Sequence, residues 1–246
     1  MNTTTVNCEP NTNGKSATAQ FGNSLHLSDI LPGDILLYRP QAPNALQRKI
    51  SNATRSPYTH AGICIREGTI AESVPWPLLI GVRTNGLKEF LENSLCVGVL
   101  RTQCTFGNER KNKLCSFIEE VCKSKRFYNL IAAYNFEKNS KNYFDDQLSI
   151  IRENYGKYTT DDEFSKQSFF CSAFVVACYS VVGIIAANAQ TAYLPEAFSP
   201  AALYRDPTFG WLLGYILPEG GSVPDDDPLL TETTLWSQHS SNQWWS

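Results

Sequence analysis

Imidazole is scarce in this chain: only three histidines, His26, His60 and His239, occur among its 246 residues. Chemistry that needs a side chain titrating near neutral pH therefore has few candidates. Paired thiols are missing as well. The eight cysteines (Cys8, Cys64, Cys96, Cys104, Cys115, Cys122, Cys171 and Cys178) include no Cys-x-x-Cys pair to open a zinc site, and they are too sparse for a disulfide scaffold. Most are expected to be reduced core thiols. No Lys/Arg run exceeds a few positions, and 21 basic against 24 acidic residues leave a net charge of −3, which argues against a nucleic-acid partner. Without a phosphate-cradling glycine loop or spaced metal ligands, no cofactor and no metal are expected.

Two further absences bear on location. The opening stretch "MNTTTVNCEPNTNGKSATAQFGN" has neither the basic nor the apolar segment of a secretory signal, so residues 1–27 read as a polar, mobile arm on a chain that stays in the cytoplasm when made. The uncharged run Cys171 to Gln190 is nearly long enough to span a bilayer, but it holds Ser172, Ser180, Gly183 and Asn188 and lacks basic anchors. A buried helix is the better reading, and no integral membrane segment is expected.

What is present suits a globular domain, with 42% hydrophobic and 18% charged residues. "LPGDILLYRP" reads as a turn at Gly33-Asp34 launching a strand, Asp34 to Tyr38. Leu46 and Ile50 give residues 41–55 the spacing of a short amphipathic helix. "YTHAGICIREGTIAES" reads as a hairpin, Thr59 to Ile65 and Thr69 to Ser73. A short strand and a helical turn follow in "GVRTNGLKEFLEN", then a strand over Cys96 to Thr102. Leu114, Phe117, Ile118 and Val121 mark an amphipathic helix. Residues 137–167 are a polar insertion with one short helix near Asp146 to Tyr155, and the Cys171 helix comes next. A short helix after Ser199-Pro200 and a closing strand near Trp211 to Leu217 complete a domain over 28–217. Residues 218–246 form an acidic tail expected to be mostly unpacked, whose Trp236, Trp244 and Trp245 dock either on the domain or on a partner.

Cys171 heads the apolar helix, where unpaired backbone N–H groups and the helix dipole favour a thiolate. Cys178, one heptad on, has no such help. A sulfur nucleophile needs an imidazole to manage its proton, and His60 is the histidine inside a regular element of the domain. Taken alone, His60 is more readily a structural strand residue, and Glu72 a rim charge; the pairing of His60 with Cys171 reverses the first reading. If the hairpin turn has an odd number of residues, as Arg66-Glu67-Gly68 would, Gly62 faces Glu72, and His60 and Glu72 share one face of the sheet. The carboxylate then orients the imidazole as the third member of a triad does.

"PGDILLYR", "YTHAGICIREGTIAES", "RFYNLIAAYNF" and "FFCSAFVVACY", in that order, resemble the circularly permuted branch of the NlpC-type, papain-like hydrolases, the YiiX-like group, over roughly residues 30 to 215. The resemblance implies an α+β fold with an antiparallel sheet or small barrel packed against helices, and a catalytic Cys at a helix N-terminus. It implies Cys171 as nucleophile, His60 as general base and Glu72 as its orienting partner. Tyr128 and Ser172 fall beside the site as oxyanion or substrate contacts, and Asp34 serves structure at the strand entry. Ala173 and Asn129 stand where that family commonly carries acidic residues. The implied activity is a cysteine amidase or endopeptidase acting on bacterial peptidoglycan. With no signal peptide it would be an antibacterial effector toxin, delivered by a dedicated secretion system to a target periplasm, with a secretion or immunity protein as partner, or would act on wall-turnover fragments inside the cell. The alternative is a lipid-directed thioesterase, acyltransferase or phospholipase, for which "VPWPLLIGV" offers an apolar lip that could equally be core.

Overall fold

The computed structural model of the protein describes residues 24–75, 81–124, 128, 129, 133, 138, 146–154, 156–167, 169–233 and 235. The first turn depends on Gly33, whose φ of +95° is left-handed and whose missing Cβ leaves room for the Phe106 ring 2.5 Å from where it would stand. Asp34 follows, buried, its carboxylate accepting from Arg101 Nε (2.8 Å) and Nη2 (2.6 Å) and from the Leu31 N–H (2.8 Å). That closed cluster gives Asp34 the structural place expected of it and launches strand β1 (Ile35–Pro40).

Helix α1 (Ala45–Thr54) starts with a reciprocal cap: Asn44 Oδ1 accepts from the Gln47 N–H, and Gln47 Oε1 accepts from the Asn44 N–H. Strands β2 (His60–Arg66) and β3 (Thr69–Val74) form the hairpin. The turn itself is two residues, Glu67-Gly68, and the odd residue is absorbed by a bulge between Cys64 and Arg66. Parity is therefore the same as for a three-residue turn, and Gly62 faces Glu72.

Strand β4 (Gly81–Gly86) runs into helix α2 (Leu87–Leu91), then strand β5 (Ser94–Arg101) and helix α3 (Asn108–Ser124). Leu114, Phe117, Ile118 and Val121 are the buried stripe of α3, as their spacing requires. Within 137–167 lie α4 (Gln147–Asn154) and α5 (Asp161–Ser165), so the insertion carries a second short helix beyond the one expected. Helix α6 (Cys171–Val181), α7 (Pro200–Arg205), strand β6 (Trp211–Ile216) and α8 (Pro228–Glu232) follow.

The fold is α+β: one six-stranded sheet of order β4-β3-β2-β1-β5-β6 in which every neighbouring pair is antiparallel. The sheet is open rather than closed into a barrel. Every residue of α6 is buried, and the helix packs on β2 and β3, which explains its lack of charge. It is shorter than the uncharged run, because Gly183 turns the chain at φ +71° and residues Ala187–Ala192 continue as a 3-10 turn. No helix among the described residues is long and apolar enough to cross a membrane. The opposite face of the sheet buries Leu36, Ile70 and Val99 beneath Leu87 and Phe90 of α2.

The chain after Pro218 departs from the expectation of an unpacked tail. Asp227 is fully buried, and its carboxylate accepts from Arg39 Nη1 (2.7 Å), Tyr58 Oη (2.9 Å), Tyr215 Oη (3.0 Å) and the Leu229 N–H (3.0 Å). Leu229, also buried, fills the space over Gly98, where a Cβ would collide with it. Composition registers the aspartates and prolines as solvated; it does not register four donors waiting for one carboxylate. Trp236, Trp244, Trp245 and residues 1–23 lie outside the described residues.

Removing that carboxylate leaves a partly buried guanidinium and two buried phenols without their common acceptor. Asp227→Ala is expected to lower the unfolding free energy by about 3–5 kcal/mol, read as a shift of the urea midpoint. An unshifted midpoint would show that the segment after Pro218 is not part of the cooperative unit.

Candidate active site

Strand β2 presents His60 at its first residue, and β3 brings Glu72 to the diagonal position on the same face. His60 Nε2 and Glu72 Oε2 are 2.7 Å apart. Tyr38, directly opposite His60 on β1, meets the imidazole edge-on at 6.4 Å between ring centroids, and Phe90 of α2 lies against it at 5.7 Å. With Nε2 engaged by the carboxylate and the ring held between two aromatic walls, Nδ1 is the nitrogen left to face a partner.

That partner is Cys171. The first residue of α6 is 2% exposed and lies close enough to His60 for each side chain to shift the other's ionisation. Burial alone would raise its thiol. The adjacent imidazolium outweighs that, joined by the backbone N–H groups of Ala61 and Ser172 aimed at the sulfur, and the net shift is downward. Burial likewise pulls His60 down, but the Cys171 thiolate and then Glu72 raise it to about 10. Both shifts favour the same state, a thiolate–imidazolium pair. Cys178, one heptad further along α6, has its thiol pushed well up by burial with no cation to oppose it. The two cysteines separate as their positions on the helix predict.

Glu72 has a second set of partners that sequence reasoning missed. Its Oε1 accepts from Arg83 Nε (3.0 Å) and Nη2 (2.9 Å), and from Asn85 Nδ2 at 3.4 Å. Burial pushes the carboxyl up, but His60 and Arg83 together hold it below the ordinary carboxylate range. The signal lay in "GVRTNG": once that strand pairs with β3, Arg83 stands directly across from Glu72. Pairing order, not local pattern, was the missing information.

The segment before Cys171 is clamped to the sheet at the Phe169 carbonyl, which accepts from Ser73 Oγ (2.8 Å) and from the Asn129 N–H (3.2 Å). Tyr128 is thereby seated beside the sulfur. Burial and the nearby sulfur push its phenol up, so it stays protonated. The Ser172 hydroxyl donates to the Phe198 carbonyl at 2.8 Å, so only the backbone of Ser172 faces the site. Thus Cys171, His60, Glu72, Tyr128 and the Ser172 N–H come together, while Asp34 is tied to Arg101 elsewhere. The apolar lip expected over 74–82 falls largely outside the described residues.

A groove of about 360 Å³ opens on the His60 side, lined by Asn44, Gln47, Glu72, Asn85 and Tyr128 among others. An apolar slot lies on the other side of Tyr128, between Ile50 of α1 and Pro200 of α7, with Cys171 in its wall.

No protein-family model matches the chain, and no curated protein matches it. A crystal structure of the metalloprotein yiiX from Escherichia coli O157:H7 is similar at 20% identity and a TM-score of 0.37, over 61% of this chain and 64% of that one. The chain thus spans a little under two thirds of that protein's length. Among the described residues of this chain, no group of three or more His, Cys, Asp or Glu side chains is arranged to hold a metal ion.

The paired shifts set the direction of a pH test. Because the Cys171 thiol is depressed and His60 is raised, alkylation of Cys171 by iodoacetamide is expected to stay fast at pH 6.5, where Cys178 is inert. His60→Ala removes the opposing cation, so burial then governs and the rate at pH 6.5 should drop at least about 10-fold, consistent with loss of a pKa unit or more. Peptide mass mapping of the labelled cysteine checks this. Equal labelling of Cys171 in both proteins would exclude the ion pair.

Proposed function

We propose that the protein is a cysteine hydrolase of the papain-like, circularly permuted kind, cleaving peptide bonds of bacterial peptidoglycan. The observation that carries the reading is the unbroken line from Cys171 at a helix N-terminus, through His60, to a Glu72 anchored by Arg83, opening on a groove. In this reading the Cys171 thiolate adds to the scissile carbonyl carbon, forming a C–S bond while the carbonyl π electrons move to oxygen. The Tyr128 hydroxyl, beside the sulfur, donates to that oxyanion. Collapse expels the leaving amine, which takes its proton from His60. Water then gives a proton to His60 and attacks the thioester, and the acid is released as the sulfur leaves as thiolate.

The polar lining of the His60 groove, with Asn44, Gln47 and Asn85, supports a peptide leaving group able to exchange backbone hydrogen bonds. Action on the wall of a competitor cell, as a delivered effector toxin with a secretion or immunity partner, is the setting proposed for this chemistry. One observation favours a second reading: the apolar slot beside the sulfur suits the acyl chain of a lipid ester or thioester.

Incubation with purified wall peptides and, separately, with phospholipid vesicles distinguishes the two, with products identified by mass spectrometry. Amine release from wall peptides, abolished by Cys171→Ala, is expected; acyl release from vesicles alone would replace the substrate, and neither would end the hydrolase reading. A second expectation concerns pH. Glu72 stabilises protonated His60, so Glu72→Gln lowers the His60 pKa from near 10. The alkaline limb of kcat/KM should then move to lower pH. An alkaline limb that does not move would remove Glu72 from the proton-handling chain.

A further inference from the structure

Three adjoining cavities run along α1, and their walls assign the two halves of a substrate. The groove of about 360 Å³ contains His60 and not Cys171, whereas the slot contains Cys171 and not His60; Ile50 and Tyr128 line both. A leaving group must lie where His60 can protonate it, so it occupies the groove. The acyl group is bonded to the sulfur and departs from it on the other side, into the slot. Beyond the slot, past Ala53 and Ser199, a cavity of about 460 Å³ opens, lined by Tyr193, Phe198 and Arg205 among others.

The slot is the narrow point. It encloses about 20 Å³ between Ile50, Ala53, Phe170 and Pro200. A space of roughly 10–15 Å³ holds one water, so this one takes a single group of about that size, and apart from Lys49, Tyr128, Ser172 and Ser199 its walls are apolar. A methyl is of that size; a branched side chain is larger. We propose that the slot is the acyl-side specificity pocket and that it selects an alanyl residue at the carbonyl that Cys171 attacks, with the chain preceding that residue running into the 460 Å³ cavity. The assignment rests on the hydrolase reading and narrows it to bonds on the carboxyl side of alanine. Ala53, shared by slot and cavity, is the specificity-determining residue, and Ile50 sets the depth.

The test uses the full chain and four acyl donors, the thiobenzyl esters of N-acetyl-Gly, -Ala, -Val and -Leu, with thiol release as readout. Iodoacetamide labelling of Cys171 is followed in parallel in every variant. The Ala ester is expected to exceed the Leu ester by about 100-fold in kcat/KM, the size of effect a methylene-scale mismatch produces in an apolar pocket. Ile50→Ala should raise Leu relative to Ala at least 10-fold, and Ala53→Leu should lower Ala relative to Gly by a similar factor. Equal rates for Ala and Leu in the unaltered protein, or ratios that neither variant moves, overturn the assignment. Fast labelling of Cys171 with no thiol release from any ester sinks the alanyl pocket but leaves the thiolate centre standing. Absence of both labelling and release sinks the hydrolase reading and the pocket with it.

Discussion

A sulfur held almost out of contact with water, beside a buried imidazole and a buried carboxylate, is the constraint around which the rest of the structure is arranged. An ion moved from water into a protein interior loses hydration worth many kcal/mol, so a thiolate at Cys171 exists only where its surroundings replace that hydration. Three elements do so together. The head of α6 supplies backbone N–H groups, β2 supplies the His60 imidazolium and the Ala61 N–H, and β3 supplies the carboxylate that keeps the imidazole charged. The compensation continues outward, because Glu72 is itself buried and is matched by Arg83 on β4. Each member is a poor interior residue alone and an acceptable one in the chain of four.

The elements that hold these groups are rigid for ordinary reasons. Helix α6 is buried along its whole length and cannot slide without exposing apolar surface. The Phe169 carbonyl ties the residues before it to β3. Asp227 gathers Arg39 and Tyr58, which stand next to or near Tyr38 and His60 in the chain, together with Tyr215 of β6. The segment after Pro218 therefore braces the end of the sheet from which the imidazole projects, and the acidic tail is part of the scaffold.

The two sides of the sulfur differ in polarity for a structural reason. The groove is walled by strand ends and by the capped start of α1, where amides such as Asn44 and Gln47 are needed to satisfy backbone groups. The slot is walled by the middle of α1 and the start of α7, mostly by apolar groups such as Ile50, Ala53, Phe170 and Pro200, with Lys49, Tyr128, Ser172 and Ser199 as its polar members. A substrate lying across Cys171 therefore meets a polar groove on one side and a mostly apolar crevice on the other.

Much of this was legible in the residues. The period-two pattern around "REG" set the hairpin, and parity alone put His60 and Glu72 on one face, even though a bulge rather than the turn took the odd residue. The four apolar residues of α3 announced its buried stripe, and the thiol at the head of an uncharged run announced an activated cysteine. Those are local properties, written in spacing and in the position of a residue along its own helix. Local spacing carries no record of which strand lies beside which. Arg83 became a partner of Glu72 only through the β3–β4 pairing, and the slot exists only because the fold brings residues of α1 and α7, distant in sequence, to the walls of one cavity. Asp227 reads as a solvated acid until four donors from separate segments converge on it. The sequence by itself determined the elements and the chemical character of their ends; the meeting of charges across elements was decided by tertiary packing, because only there does the cost of burying one charge fall against the presence of another.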